Sequence, residues 1–149
     1  MGALGQDLAE HVVVGIDTAP FIYLWERHAR YDPLCEDLVG YLRAPDVQGV
    51  TSVVTLIEVC VLPQRQGRAD LVAAYERALL HSRQVQTLPV TAAVARRATG
   101  LRARYGMHVP DAVQLATALE AGATAFVTND RRLAKVAELR VLVLDDYVR

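Results

Sequence analysis

With 149 residues, 52% of them hydrophobic, the chain has enough apolar side chains for one domain with a sizeable core, which excludes intrinsic disorder. No apolar run reaches the roughly 18 residues of a membrane-spanning helix. A formal net charge of −1 gives no overall attraction to nucleic acid. The two cysteines lack C-x-x-C spacing, and the amino-terminal stretch has no basic flank. We therefore expect a cytoplasmic protein with reduced thiols and no membrane partner.

Strands and helices alternate in the predicted chain order. Apolar, Val-rich runs predict strands at 12–17, 49–52, 85–88, 125–128 and 141–144. Caps, prolines and apolar periodicity predict helices at 20–28, 33–43, 69–81, 91–105 and 109–121, with another from Ser52 or Thr55 to near Pro63. This order predicts a single α/β domain over residues 1–149, with helices on both faces of a mostly parallel sheet of about five strands.

Two predicted strands end on an acidic residue. The run VVVGI leads directly into Asp17, and AFV leads through Thr128 and Asn129 into Asp130. A strand interior disfavours an unpaired carboxylate, so Asp17 needs a compensating group. Asp130 has a plain alternative, because Asn-Asp is an ordinary turn composition.

Two more carboxylates lie in predicted helices. In SVVTLIEVCVL, Glu58 is surrounded by apolar residues, so we expect this helix to be buried on most sides and Glu58 to lie near the protein interior. An ion pair with an arginine, or access to an exposed edge, would also accommodate Glu58. Asp111 follows Pro110 in VPDAVQLATALEAG, where an acid favours a helix start through the helix dipole.

The positions of these four acids make them informative as a set. Ligands of open α/β sheets bind at the carboxyl ends of the strands, where Asp17 and Asp130 lie. Asp111 opens the helix before the Asp130 strand, and Glu58 lies in the helix after the second strand. Four converging carboxylates repel one another and cannot all ionise without a cation. Hard divalent ions with oxygen ligands, Mg²⁺ or Mn²⁺, suit such a set, and a metal held in this way suits hydrolysis of a phosphodiester.

Four stretches form a recognisable pattern in this order and spacing: GIDTAPFIYL, TSVVTLIEV, HVPDAVQLATALEAGA and FVTNDRRL. With them the chain resembles the PIN-domain family, and more narrowly the toxin ribonucleases of VapBC toxin–antitoxin modules. The resemblance implies a three-layer α/β/α fold and Mg²⁺- or Mn²⁺-dependent endoribonuclease activity on RNA. It also implies a homodimer, inhibition by a cognate antitoxin, and a heterotetramer or larger assembly with that antitoxin.

The resemblance also assigns residues. It places the family's catalytic and metal-binding acids at Asp17, Glu58, Asp111 and Asp130, with Thr18, Thr128 and Asn129 as supporting polar groups. Basic residues beside these motifs are expected to hold RNA phosphates: Arg65, Arg68, Arg131 and Arg132. The chain departs from the family at Ala19, where Asn or Ser is usual.

Two other functional classes remain open at this stage. One is a PIN-like module that binds RNA or protein without cutting it, which the presence of all four acids disfavours. The other is a phosphoryl-transfer domain with Asp17 as covalent acceptor. Such a phosphatase would carry a second Asp where Ala19 stands, and a receiver would carry a Lys after a late strand, whereas the only Lys, Lys135, is in a helix-like stretch.

The stretch APFIYLWERH predicts an interaction surface. Its large apolar residues are more than one helix face buries in a small domain: Phe21, Ile22, Leu24 and Trp25. Some of them are expected to contact a dimer mate or the antitoxin, and an arginine from such a partner would suit the acidic pocket.

Overall fold

Five parallel strands form one sheet in the computed structural model, which describes residues 2–149. The strands are β1 (Val13–Ile16), β2 (Gln48–Ser52), β3 (Val85–Leu88), β4 (Ala125–Thr128) and β5 (Arg140–Val143). Their order across the sheet is β3-β2-β1-β4-β5. In register, Val14 of β1 lies between Gly49 of β2 and Ala125 of β4. The strand order therefore places β1 at the centre of the sheet, flanked by the strands that carry the other polar ends.

Helices cover both faces of the sheet, giving the α/β/α layering expected from the sequence. They are α1 (Ala3–Leu8), α2 (Thr18–Trp25), α3 (Asp32–Leu42), α4 (Val53–Arg65), α5 (Ala69–Leu80), α6 (Ala92–Tyr105) and α7 (Val109–Glu120). Buried residues of α1 to α5 form one core cluster with the strands, and buried residues of α6 and α7 form the other. Short 3₁₀ turns follow β4 (Arg131–Lys135) and β5 (Leu144–Tyr147).

Local capping chemistry sets several of the helix ends. The side chains of Asp17, Ser52 and Thr91 accept hydrogen bonds from main-chain N–H groups at the starts of α2, α4 and α6. Gly106 and Gly122 have φ values of +68° and +84° just after α6 and α7, as the sequence predicted for left-handed caps.

One helix was missed, and two others begin or end elsewhere than predicted. Helix α1 was not predicted, and α2 runs from Thr18 to Trp25 instead of over 20–28. It begins earlier because Asp17 itself is its cap. Pro20 then lies within the first turn, where a missing N–H costs nothing because such groups have no partner inside the helix. Helix α4 continues past Pro63 to Arg65, so this proline lies in the last turn instead of ending the helix.

The prediction that α4 is buried on most sides was also wrong. Ile57, Val61 and Leu62 are exposed to 66%, 42% and 55%. Together with Leu56, Cys60 and Val72, two of them line an open groove between α4 and α5. The apolar composition of α4 thus reflects a surface that no other part of residues 2–149 covers.

The aromatic stretch of α2 is largely accommodated inside the domain. Phe21 is buried, and Ile22, Leu24 and Trp25 are partly buried against the same core cluster. The Trp25 ring stacks on Tyr75 of α5 at a centroid distance of 4.5 Å. No helix within residues 2–149 is long and apolar enough to cross a membrane.

Candidate active site

Polar side chains end the three central strands at one edge of the sheet. Asp17 follows β1, Thr51 and Ser52 end β2, and Thr128 ends β4. Thr51, Ser52 and Thr128 are fully or almost fully buried. Because β1, β2 and β4 are adjacent and parallel, their carboxyl ends meet at one place. This edge of the sheet is where the sequence predicts the site.

Asp17 is held by two hydrogen bonds. Its Oδ1 accepts from the Thr18 main-chain N–H at 2.8 Å, and its Oδ2 accepts from the Thr128 hydroxyl at 2.7 Å. Burial nevertheless raises the pKa of Asp17 above 3.8, and the neighbouring carboxylates of Asp111 and Glu58 raise it further, while the two hydrogen bonds lower it. The net direction is upward, so the folded protein disfavours the ionised carboxylate.

Glu58 lies in the second turn of α4 and is exposed, so the expectation of an interior position was wrong. Its Oε1 accepts a hydrogen bond from the Thr18 hydroxyl at 3.0 Å. No ion pair with an arginine forms at Glu58 among the described residues, which leaves access to an exposed edge as the alternative that the structure shows. The carboxylate faces Asp17, whose pKa it raises.

Asp111 lies in the first turn of α7, as predicted, and is partly buried. Burial is the main cause that raises its pKa, and the charge of Asp130 adds to this effect. Arg132 and His108 act in the opposite direction. Asp111 is therefore close to a second carboxylate and to two basic groups, one of which, Arg132, is paired with that carboxylate.

Asp130 is engaged by an arginine from its own turn. Its Oδ1 accepts from the main-chain N–H of Arg132 at 3.0 Å, and the Arg132 guanidinium donates to both carboxylate oxygens, at 3.0 Å from Nε and 2.7 Å from Nη2. These contacts lower the pKa of Asp130 below its usual range. Asp130 is thus the one acid of the four that already has a cationic partner.

The four predicted acids form a run of neighbours, with Glu58 beside Asp17, Asp17 beside Asp111, and Asp111 beside Asp130. Within residues 2–149, however, no three His, Cys, Asp or Glu side chains are placed so that they could hold a metal ion together. The structure therefore brings the acids to one edge of the sheet without arranging them as a finished metal cage.

The predicted supporting residues have different roles. Thr128 bridges two of the acids, because its hydroxyl donates to Asp17 and accepts from the Asp130 main-chain N–H at 3.0 Å. Asn129 is turned away from them. Its amide donates to the hydroxyls of Tyr23 and Tyr31, and its carbonyl oxygen accepts from the main-chain N–H of the 3₁₀ turn after β5.

Three of the four predicted RNA-binding arginines are in ion pairs. Arg68 pairs with Asp70 and Arg131 pairs with Asp146, both at exposed positions. Arg132 pairs with Asp130, and Arg65 lies at the exposed end of α4. Only Arg132 is in contact with the acids.

Beside Asp111, a small cavity of about 80 Å³ is lined by Arg132, which the sequence assigned to RNA, and by two basic residues that it did not, Lys135 and His108. The signal for Lys135 was present in the sequence, because it lies in the same turn as Arg132, two positions after Leu133.

Sequence reasoning missed one buried amide. Gln114 is 2% exposed and lies one turn after Asp111 on α7. Its Oε1 accepts from the Ser52 main-chain N–H at 3.3 Å, and its Nε2 donates to the Thr55 hydroxyl at 2.7 Å. The signal was a Gln three positions after the acid in an otherwise apolar helix, hence on the same helix face.

Comparisons with known proteins agree with this fold. The family model described as PIN domain matches residues 14–139. A toxin–antitoxin complex from Klebsiella pneumoniae has a chain with TM-score 0.65 and 21% identity, covering 89% of this chain and 97% of that one. The sarcin–ricin loop cleaving toxin VapC20 of Mycobacterium tuberculosis has TM-score 0.64 and 20% identity, with 86% and 98% covered. DNA-bound VapBC from Salmonella typhimurium has TM-score 0.66 and 15% identity, with 89% and 98% covered. No curated protein matches the chain by sequence.

Proposed function

Since the chain belongs to the PIN-domain family, we propose that it is a Mg²⁺- or Mn²⁺-dependent endoribonuclease and the toxin of a toxin–antitoxin pair. The observation that carries this proposal is the meeting of Asp17, Glu58 and Asp111 at one edge of the sheet. The carboxylates of Asp111 and Glu58 raise the pKa of Asp17, and that of Asp130 raises the pKa of Asp111, in addition to the larger effect of burial. Carboxylates that repel one another at such short range are explained by a cation that binds between them.

The chemistry of the donor set fits Mg²⁺ or Mn²⁺, which prefer carboxylate oxygens. Asp17, Glu58 and Asp111 would hold the ion, with Asp130 joining when Arg132 releases it. Such an ion, when bound, polarises the phosphoryl oxygen and lowers the pKa of water, so that hydrolysis needs no nucleophilic side chain. A cage is not preformed among residues 2–149, so the proposal includes a rearrangement of these side chains on binding.

The other residues of the site orient the acids and the substrate. Thr128 fixes the Asp17 carboxylate with one hydrogen bond and the Asp130 main chain with another. Arg132, Lys135 and His108 surround the cavity beside Asp111, where their donors suit the phosphates that flank the scissile bond. Single-stranded or looped RNA suits such a site because its nucleotides can be splayed out on a protein surface.

The proposal includes the two partners expected from the sequence, a cognate antitoxin and a second copy of the chain. Of the solved structures with the same fold, one is described as a toxin–antitoxin complex and another as DNA-bound VapBC. The exposed apolar side chains of Ile57, Val61 and Leu62 on α4 supply surface of the kind that protein partners bury. The aromatic residues of α2 supply less of it, because they pack largely inside the domain.

A binding module without catalysis is the second candidate, and two observations favour it. Arg132 already neutralises Asp130, and no preformed metal cage exists among the described residues. In that case the basic cavity would bind RNA and the acids would be structural. The two candidates differ in whether the RNA is cut.

RNA cleavage by the purified chain tests the proposal. We expect cleavage in Mg²⁺ or Mn²⁺, none in EDTA, and recovery when metal is added back. Asp111→Asn and Glu58→Gln should abolish cleavage, since each replaces a carboxylate that could bind the metal with an amide. Asp46→Asn, an exposed acid in the turn before β2, is the matched control and should cleave normally. Binding of RNA without cleavage under all these conditions would support the binding module instead.

A further inference from the structure

A chain of buried hydrogen bonds links α7 to the exposed Glu58 of α4. Its members belong to four different elements and are buried at the carboxyl edge of β1 and β2: Thr18, Thr51, Ser52, Thr55 and Gln114. Buried polar groups need partners, and the partners chosen here fix which atom donates to which. The direction of the chain therefore follows from counting protons.

The Gln114 amide can be oriented in only one way. Its Oε1 accepts from the Ser52 main-chain N–H, so its Nε2 is the end that faces the hydroxyls. Nε2 donates to Thr55 Oγ1 at 2.7 Å. Thr51 donates its single proton to the Ile16 carbonyl at 2.8 Å, so in its 2.7 Å contact with Thr55 it must accept. The proton of Thr55 is thereby committed to Thr51, and the amide occupies one of the two acceptor positions of the Thr55 oxygen.

The second N–H of Gln114 points to Thr18 Oγ1 at 3.4 Å. Thr18 has one proton and two acceptors within reach, Glu58 Oε1 at 3.0 Å and Thr55 Oγ1 at 3.5 Å. The proton goes to Glu58, because the carboxylate is the nearer and stronger acceptor and the amide already occupies one acceptor position of Thr55. Glu58 is the only member of this chain that is exposed, and Thr18 is its only hydrogen-bond donor among the described residues.

We infer that Gln114 is a positioning residue for Glu58. By donating to the oxygens of both Thr55 and Thr18, its amide orients the Thr18 hydroxyl so that its proton points to one oxygen of the Glu58 carboxylate, and the other oxygen is left free to bind a ligand. Without the amide, both acceptor positions of Thr55 would be open, and Thr55 would compete better with Glu58 for the Thr18 proton. This inference rests on the proposed function, in which Glu58 is a metal ligand. Groups that orient a ligand typically alter metal affinity when they are removed.

The binding of Mn²⁺ alone, measured by calorimetric titration of the purified chain without RNA, tests the inference. Gln114→Met keeps the size of the side chain and removes the amide, and it should weaken Mn²⁺ binding about tenfold. Thr117→Val is the matched control. Thr117 is buried on the same helix, and its hydroxyl donates only to the Val113 carbonyl. The Thr117→Val variant therefore also loses a buried hydrogen bond, but it should leave the Mn²⁺ affinity unchanged.

A double-mutant cycle with Glu58→Gln separates positioning from general destabilisation. In the Glu58→Gln background, Gln114→Met should have no further effect on Mn²⁺ affinity. Thr18→Val leaves the Ser52 N–H paired with Gln114 and should cause the same loss of Mn²⁺ affinity. This variant replaces Gln114→Met in the test if Gln114→Met does not fold. The inference is overturned if these variants bind Mn²⁺ like the wild type, if Thr117→Val weakens binding equally, or if the loss persists without Glu58. If the wild-type chain itself binds no Mn²⁺, the proposed function fails and the inference fails with it.

Discussion

Replacing Asp17 with asparagine should separate the cost of its charge from its structural role. Asparagine is as good a helix cap as aspartate, so the hydrogen bond from the Thr18 N–H is retained. The hydrogen bond from Thr128 to the carboxylate is lost, which alone would cost about 1.5–3 kcal/mol. Against this, the variant no longer buries a charge beside Asp111 and Glu58. The pKa of Asp17 reflects both the hydrogen bonds, which lower it, and the burial and neighbouring carboxylates, which raise it. Because the pKa is raised, the cost of burying the charge is larger than the gain from the hydrogen bonds.

We therefore expect Asp17→Asn to melt at or above the wild-type temperature at pH 7 in EDTA. The sign of the pH dependence follows from proton binding. Between 3.8 and the raised pKa of Asp17, the folded wild-type chain binds more protons than the unfolded chain, so its free energy of unfolding falls as the pH rises. The amide that replaces the carboxyl group does not titrate, so the advantage of the variant should grow across this window and stay constant above it.

Added metal should reverse the order of the two melting temperatures, so that the wild type melts above Asp17→Asn. At Mn²⁺ concentrations 100 times the dissociation constant, a single site stabilises the wild type by about 2.7 kcal/mol. For a domain of this size that is about 5–10 °C in melting temperature. Asp17→Asn should gain little, while the control Asp46→Asn should gain as much as the wild type. A variant that melts well below the wild type in EDTA, by the amount that the Thr128 hydrogen bond alone would cost, would show that Asp17 is a structural acid and refute the reasoning.

Three further outcomes are expected. Gly15→Ala should lower the free energy of unfolding by about 1–3 kcal/mol, because the new methyl group would lie 2.5 Å and 2.7 Å from side-chain carbons of α7 and β4. Gly40→Ala has open space around the new methyl group and should raise the free energy of unfolding by about 0.5–1 kcal/mol. Urea denaturation compares the two variants, and equal effects would contradict the packing at β1. Burial raises the pKa of the Cys35 thiol to about 11, so at pH 8 iodoacetamide should label this cysteine only after denaturation. Mass spectrometry detects the label, and rapid labelling of the native protein would refute the burial of Cys35. Arg132→Gln should tighten Mn²⁺ binding severalfold, because it frees the Asp130 carboxylate from its ion pair. Arg131→Gln, which frees Asp146 instead, should leave the affinity unchanged. Equal Mn²⁺ affinities of the two variants in a calorimetric titration would argue against Asp130 as a ligand.

The sequence predicted the sheet well because its signal is local. Short Val-rich runs that end on polar residues predict buried parallel strands, and β3 and β4 have the predicted bounds. Asp17 and Asp130 could be placed at one edge of the sheet because parallel strands share their carboxyl ends. The predicted order of elements was then sufficient to bring Asp111 and Glu58 close to them.

The surroundings of Glu58 could not be predicted in the same way. An apolar helix indicates that its side chains avoid water, but it does not say whether the same chain or a partner covers them. Helix α4 leaves Ile57 and Leu62 exposed, and Glu58 is exposed with them. The role of Gln114 was hidden for a different reason, because its partner Ser52 is 62 positions away in the sequence. The contact of Arg132 with Asp130 is local, but a turn composition does not show which way a long side chain points.

The isotopic fate of water in the cleavage reaction tests the central claim most directly. If the carboxylate edge uses a metal to hydrolyse RNA with water, cleavage in H₂¹⁸O with Mn²⁺ should place one ¹⁸O in the phosphate of the product, and mass spectrometry should detect no product in EDTA. A product that ends in a 2′,3′-cyclic phosphate without ¹⁸O, or cleavage that continues unchanged in EDTA, would contradict the account.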